Sequence, residues 1–187
     1  MSSFLSRYVA TTAPGGLALA QGLLNTRSTA SGATDLLDSA ATAQEWVGPA
    51  LEEWSEVTGS VAAEIELSSS GLRELLELRA EVRAYIAGDR RDAVVDVPLS
   101  IVSTADGALR MQPAGAGMGW FRSAVWGGIL EAQQADTLRR LKLCRNELCD
   151  SAFYDRSKNN SGVWHDVHVC GNAANLRASR ARRAAAQ

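Results

Sequence analysis

Apolar residues recur at helical spacing in two stretches of the chain. Leu36, Leu37, Ala40, Ala43, Trp46 and Val47 fall on one face, which predicts an amphipathic helix opening near Thr34. Thr34 can cap it, and Asp35 and Asp38 suit the positive end of its dipole. Gly48-Pro49 predicts a break, followed by a further turn of helix around Leu51 and Trp54. The second stripe is Leu72, Leu75, Leu76, Arg79, Val82 and Ile86, a helix over about residues 71–86. Glu74, Glu77 and Glu81 lie off that stripe, and Gly88 is a natural stop.

The pattern then changes period. Residues 93–110 are rich in β-branched side chains (Val94, Val95, Val97, Ile101, Val102), and Asp106-Gly107 is a hairpin signal. Pro98 restricts an interior ladder, so a short sheet of two or three strands is expected. A Gly/Ala/Pro loop over 112–119 precedes a last helix, expected over 120–143 and leading directly into Cys144. The expected fold is mainly α with a small β-sheet, an α+β class. A helical N-terminal domain over 1–138 would carry a small C-terminal module over 139–187.

That module holds all three cysteines. Four residues separate Cys144 from Cys149, and four separate His165 from Cys170. Three thiols and an imidazole in two close pairs are the ligand set of a closed, tetrahedral Zn2+ site. The alternative is buried thiols, or a disulfide and one spare, against which the odd count argues. His168 is the competing imidazole, but it stands only two residues before Cys170, a strained bite for one ion. Without an open coordination position the zinc would be structural. A segment this short buries little core, and metal binding can supply on the order of 10 kcal/mol of folding free energy.

The same stretch resembles the CGNR zinc finger. That family pairs two cysteines, then reads Phe-x-Asp-x-Ser-x-Asn, then Trp-Cys, then Cys-Gly-Asn-Arg and a basic tail. Here the elements are Cys144 and Cys149; Phe153, Asp155, Ser157 and Asn159; Trp164; and Cys170, Gly171 and Asn172. Two positions depart from it: the third family cysteine is His165, and the signature arginine is Ala173. The family's usual N-terminal partner is the ABATE domain, a stress-responsive regulator module, and the body resembles it more loosely. Leu17, Leu19, Asn25 and Thr26 look like its opening element, with two extra residues in the gap. Asp35 to Asp38 with Trp46, and the stretch 72–83, look like its next helices. The resemblance implies a bacterial-type, DNA-binding transcription regulator whose N-terminal domain senses a signal or holds a partner.

Charge is divided along the chain. Residues 1–138 carry nine Lys/Arg against seventeen Asp/Glu, a net of −8, while residues 139–187 carry ten against four, a net of +6. Either the basic module meets a polyanion or the two halves attract each other. Arg177, Arg180, Arg182 and Arg183 are candidate phosphate contacts, and Lys158, Asn159 and Asn160 could reach a base edge, or simply form a turn. Asn172 is a candidate to support the metal turn, and Trp164 a candidate to pack over it. In the body, the polar cluster Asn25, Thr26 and Arg27 follows an apolar run and could line an effector pocket; a buried structural network is the alternative.

No Ser-His-Asp set, phosphate-binding loop or second metal cluster is apparent, so an enzyme is not expected; the rivals to the regulator reading are a zinc-stabilised protein-interaction module without DNA binding and, less favoured, an enzyme with its pocket in the N-terminal domain. No stretch reaches the ~20 apolar residues of a membrane span, and Pro14-Gly15-Gly16 interrupts any secretory leader. A cytoplasmic location, which suits zinc thiolates, is expected. The expected partners are DNA, a small-molecule effector and, in a homodimer, a second copy of the chain.

Overall fold

The structure, a computed structural model, describes residues 4, 11–28, 33–89, 95–149 and 151–185. Val94 and Asp150 lie outside the described residues. The element order is α1 (Leu17–Leu24), α2 (Ala40–Thr58), α3 (Ser69–Ile86), β1 (Leu99–Ser103), β2 (Leu109–Pro113), α4 (Gly117–Gln134), β3 (Leu141–Leu143), β4 (Ala152–Tyr154) and α5 (Asn172–Ala185). The expected fold class holds: helices dominate, and the strands form two separate antiparallel pairs, β1 with β2 and β3 with β4. No helix among the described residues is long and apolar enough to cross a membrane.

Helix α1 is the centre of the body, and no residue of it is exposed. It is apolar all round, so it carries no periodic signal and the hydrophobic pattern does not reveal it. Leu17, Leu19, Leu23 and Leu24 are at most 1% exposed, each contributing about 1.5–3 kcal/mol by burial. Its one large polar side chain, Gln21, is fully paired, accepting from Ala13 N–H at 2.6 Å and donating to the Thr11 carbonyl at 3.0 Å. Helix α4 crosses it at glycines. A Cβ on Gly128 would stand 2.5 Å from the carbonyl carbon of Gly16, so only glycine permits this approach.

Three expected boundaries shift, each for a physical reason. Helix α2 opens at Ala40, not Thr34, because Ser39 and Thr42 form a reciprocal capping box. It runs through Pro49 without ending. An interior proline costs about 3 kcal/mol, but Trp46, Val47, Ala50, Leu51 and Trp54 are all buried along one face, at about 1.5–3 kcal/mol for each large side chain. Trp46 meets Phe121 edge-on at 6.2 Å, and Trp54 meets Trp120 at 5.4 Å. Helix α4 stops at Gln134 and does not reach Cys144. Asp136 adopts a left-handed conformation (φ 55°), Thr137 N–H bonds the Ala132 carbonyl and Asp136 N–H that of Gln133. That is a Schellman stop with aspartate where glycine is usual. A 3-10 turn and strand β3 then cover the distance to the first cysteine.

The loop expected over 112–119 is shorter, because β2 runs to Pro113 and α4 opens at Gly117, and Val95 and Val97 precede the first strand; α3 and the hairpin turn lie where the pattern puts them. Helix α3 buries Leu75, Leu78 and Val82 and leaves Glu74, Glu77 and Glu81 exposed. The β1–β2 hairpin turns at Asp106-Gly107, with Gly107 at φ 81°.

Candidate metal centre

Strand β3 pairs with β4 in the register Leu141↔Tyr154, Lys142↔Phe153, Leu143↔Ala152. Leu141 and Ala152 are buried in the body's core together with Leu138, so the hairpin is rooted there rather than hanging on a linker. At its far end Cys144 N–H bonds the Ser151 carbonyl, and Cys149 N–H closes a turn on the Asn146 carbonyl at 2.7 Å. Of the second pair, Cys170 lies in a π-type turn, Val167–Gly171, and His165 stands just before it. Asp166 caps it, its carboxylate accepting from His168 N–H at 2.7 Å and Val169 N–H at 3.0 Å.

These two turns bring Cys144, Cys149, His165 and Cys170 together, with one ligand atom of each within 4.8 Å of the others. Nδ1 of His165 faces the sulfurs, 3.2 Å from Cys149 Sγ and 3.5 Å from Cys170 Sγ. A tetrahedral zinc about 2.3 Å from each sulfur needs sulfurs about 3.8 Å apart, and the ligand atoms lie within 4.8 Å of one another, so the set fits with adjustments of about 1 Å or less. Its soft sulfur and imidazole donors suit zinc rather than magnesium or calcium. His168 is exposed on the outside of the turn, as its tight spacing from Cys170 predicts.

The protons of this cluster are shared. The hydrogen bond from Cys144 pushes the Cys149 thiol down to about 3; burial opposes this, and His165 and Ser151 assist it. Cys144 is pushed up as the donor of that bond and by burial, and burial likewise raises Cys170. The neighbouring Cys149 raises His165. Ligation requires thiolates and a neutral imidazole, so metal binding releases protons and strengthens as pH rises.

Packing and hydrogen bonds surround the ligands. Trp164 packs against the three buried cysteines, and a Cβ on Gly171 would press to 3.2 Å on its ring. The amide beside the sulfur belongs to Asn146, which sequence reasoning missed: its Nδ2 donates to Cys170 Sγ at 3.3 Å. Asn172, expected in that role, is exposed at the start of α5. An asparagine inside the first ligand turn, two residues after Cys144, is a weak signal. Only the fold shows that it faces the other pair.

The loop between the pairs is held by a buried carboxylate. Asp155, 5% exposed, accepts from Lys142 Nζ at 2.7 Å, Ser157 N–H at 2.8 Å and Gly162 N–H at 2.7 Å. Burial opposes its charge, but these bonds win and hold it well below the usual carboxylate range. Lys142 also donates to the Asn160 and Gly162 carbonyls, and Arg140 to those of Asp155 and Ser157. Asn160 is a turn residue (φ 50°) whose amide bonds the Arg139 carbonyl. Lys158 and Asn159 project at the exposed tip.

The arginines of α5 divide. Arg177 donates to Asn146 Oδ1. Arg180, Arg182 and Arg183 are exposed and have no partner among the described residues.

In the body, Asn25 and Thr26 have internal roles. Asn25, 1% exposed, accepts from Ala152 N–H at 2.7 Å and donates to the Ala152 carbonyl at 3.0 Å, stitching α1 to β4. Thr26 donates to the Leu23 carbonyl and accepts from Arg79, which forms a two-pronged pair with Asp35 at 2.7 and 2.9 Å. Arg27 is half-buried and favours the charge of Asp35. A cleft of about 590 Å³ opens elsewhere, between the β1–β2 hairpin and α4, lined by residues that include Trp54, Leu109, Arg110, Gly127 and Glu131. Partial burial raises the Glu131 carboxyl, an effect that Arg110 only partly opposes.

No curated protein matches the chain. Residues 140–183 match the family model of the CGNR zinc finger, a span that takes in all four candidate ligands, the Asp155 loop and the basic helix.

Proposed function

We propose that the chain is a DNA-binding transcription regulator in which zinc holds the C-terminal finger together and the ABATE-like body receives an effector or a partner. Zinc has a structural part in this reading, and no catalytic step is assigned to the chain. The observation that carries it is the separation of cations on the finger. Arg140 and Lys142 are engaged with the loop they hold, whereas Lys158, Arg180, Arg182 and Arg183 stand exposed on the module whose net charge is +6. Such side chains position a protein on a duplex through phosphates. Asn159, beside Lys158 at the loop tip, is the candidate base contact. For an effector, the cleft beside Arg110 and Glu131 is a better candidate than the internally bonded Asn25–Arg27 cluster.

A second reading has its own observation. Leu148, Val167, Val169 and Leu176 are 53–63% exposed on the finger, as a zinc-stabilised protein-interaction module would have them. Fluorescence anisotropy of the zinc-loaded chain on random duplexes separates the two. Three phosphate contacts give a slope of log K against log salt of about −2.7, and replacing Arg180, Arg182 and Arg183 with alanine should flatten it. No binding at low salt would overturn the DNA reading in favour of the interaction module.

A further inference from the structure

We infer that Arg177 is a positioning residue of the metal centre, a latch that ties helix α5 to the ligand turns through Asn146. It would then not be a phosphate contact like its neighbours. The chain of bonds is short. Asn146 sits in the turn of the first ligand pair and is 7% exposed. Its Nδ2 donates to Cys170 Sγ of the second pair at 3.3 Å, while its Oδ1 accepts from Leu148 N–H at 3.3 Å and from the Arg177 guanidinium. One amide thus joins both ligand pairs and the basic helix.

Alternative anchors for α5 are few. Ala173, Ala174 and Ser179 are its half-buried side chains; the other described ones are exposed. Of the side chains of α5, Arg177 is the one whose bond reaches another element among the described residues. Apart from that bond, the helix is joined to the finger through its own N-terminus, where Cys170 and Gly171 lie buried in the preceding turn. A charged donor on Oδ1 polarises the amide and strengthens its other hydrogen bond, the one to sulfur. A thiolate in the ligand role accepts that bond better than a neutral thiol does. Gathering of the ligands and the direction of α5 are therefore coupled, and the exposed Arg180 and Arg183 are carried by a helix whose seat is the metal turn.

The inference deepens the DNA-binding reading, but its main readout needs no DNA, so the two can fail separately. The zinc-loaded full chain is mixed with a chromogenic chelator, and zinc release is followed. Arg177→Ala should release zinc about tenfold faster, the lower end of what loss of a bond behind a ligand costs. Amide exchange over 172–180 should rise with it, and Arg177→Lys should recover part of both. Asn146→Ala should reproduce the effect, and the double variant should be no worse than Asn146→Ala alone. If Asn146→Ala does not fold, the exposed-helix pair Arg177→Ala and Arg177→Lys still decides. The duplex salt slope should be unchanged in Arg177→Ala. Wild-type release by Arg177→Ala, or a slope reduced by about 0.9 with release unchanged, would overturn the latch and return Arg177 to the phosphate contacts.

Discussion

The body and the finger are held together by opposite means. The body surrounds an apolar helix with Trp46, Leu75, Leu78, Val82, Phe121 and Ile129, each at most 2% exposed, and uses few buried polar groups. The finger has little apolar core of its own beyond Trp164 against three cysteines. In place of a core it has a ligand cluster and a buried carboxylate that collects a lysine and two backbone donors. Apolar burial is non-directional and shared by many side chains, whereas a ligand set or a buried ion pair depends on every member. The two regions of one chain should therefore yield to different perturbations.

The largest effect is expected from metal removal. A strong chelator should remove on the order of 10 kcal/mol from the finger. Amide protection over 144–183 should collapse while the protection of α1 and α4 survives. Loss of both together would show that the body depends on the finger, and loss of neither would remove zinc from the account. Asp155→Ala comes next, because it leaves Lys142 partly buried without its partner, at a cost of about 3–5 kcal/mol. The Asp155 carboxyl is depressed in the folded chain. Its contribution is therefore complete above the unfolded value of about 3.9 and is lost as pH falls through the lower folded value. The stability gap between wild type and Asp155→Ala, read by denaturant titration, should stay constant from pH 8 to 6. A gap that narrows there contradicts the assignment. Asn25→Ala is the smallest of the three, about 1–3 kcal/mol for stranding the Ala152 N–H and carbonyl. It tests the joint itself: exchange should rise in β4, while the fluorescence of the body tryptophans keeps its native signal.

How much of this was legible in sequence follows the same division. Helix α3 was visible because one face is buried and the other is not. The ligand set was visible because chelation imposes its own spacing. Helix α1 was invisible because complete burial erases periodicity, and α2 runs past Pro49 because tertiary packing outweighs the local penalty. The end of α4 was hidden because its left-handed stop is Asp136 rather than a glycine. Asn25 and Thr26 stand out as a polar cluster, but a side chain that bonds a strand 127 positions away, as Asn25 does, and one that bonds a ligand look alike until the strand is placed. For the same reason the sequence does not single out Asn146, nor the bond that joins it to Arg177.

The burial of α1 also has a consequence in time. It is synthesised well before its principal neighbour α4, and before the strand β4 to which Asn25 bonds it. The bond from Asn25 to Ala152 spans 127 residues. At about 5–20 residues per second, translation leaves α1 waiting roughly 6–25 s for the partner that completes its enclosure. Until α4 follows, eight residues with almost no polar surface must be shielded by α2 and α3 alone or by a chaperone. This uncovered apolar helix thus precedes the metal-binding segment, and zinc supply cannot rescue a failure at that stage.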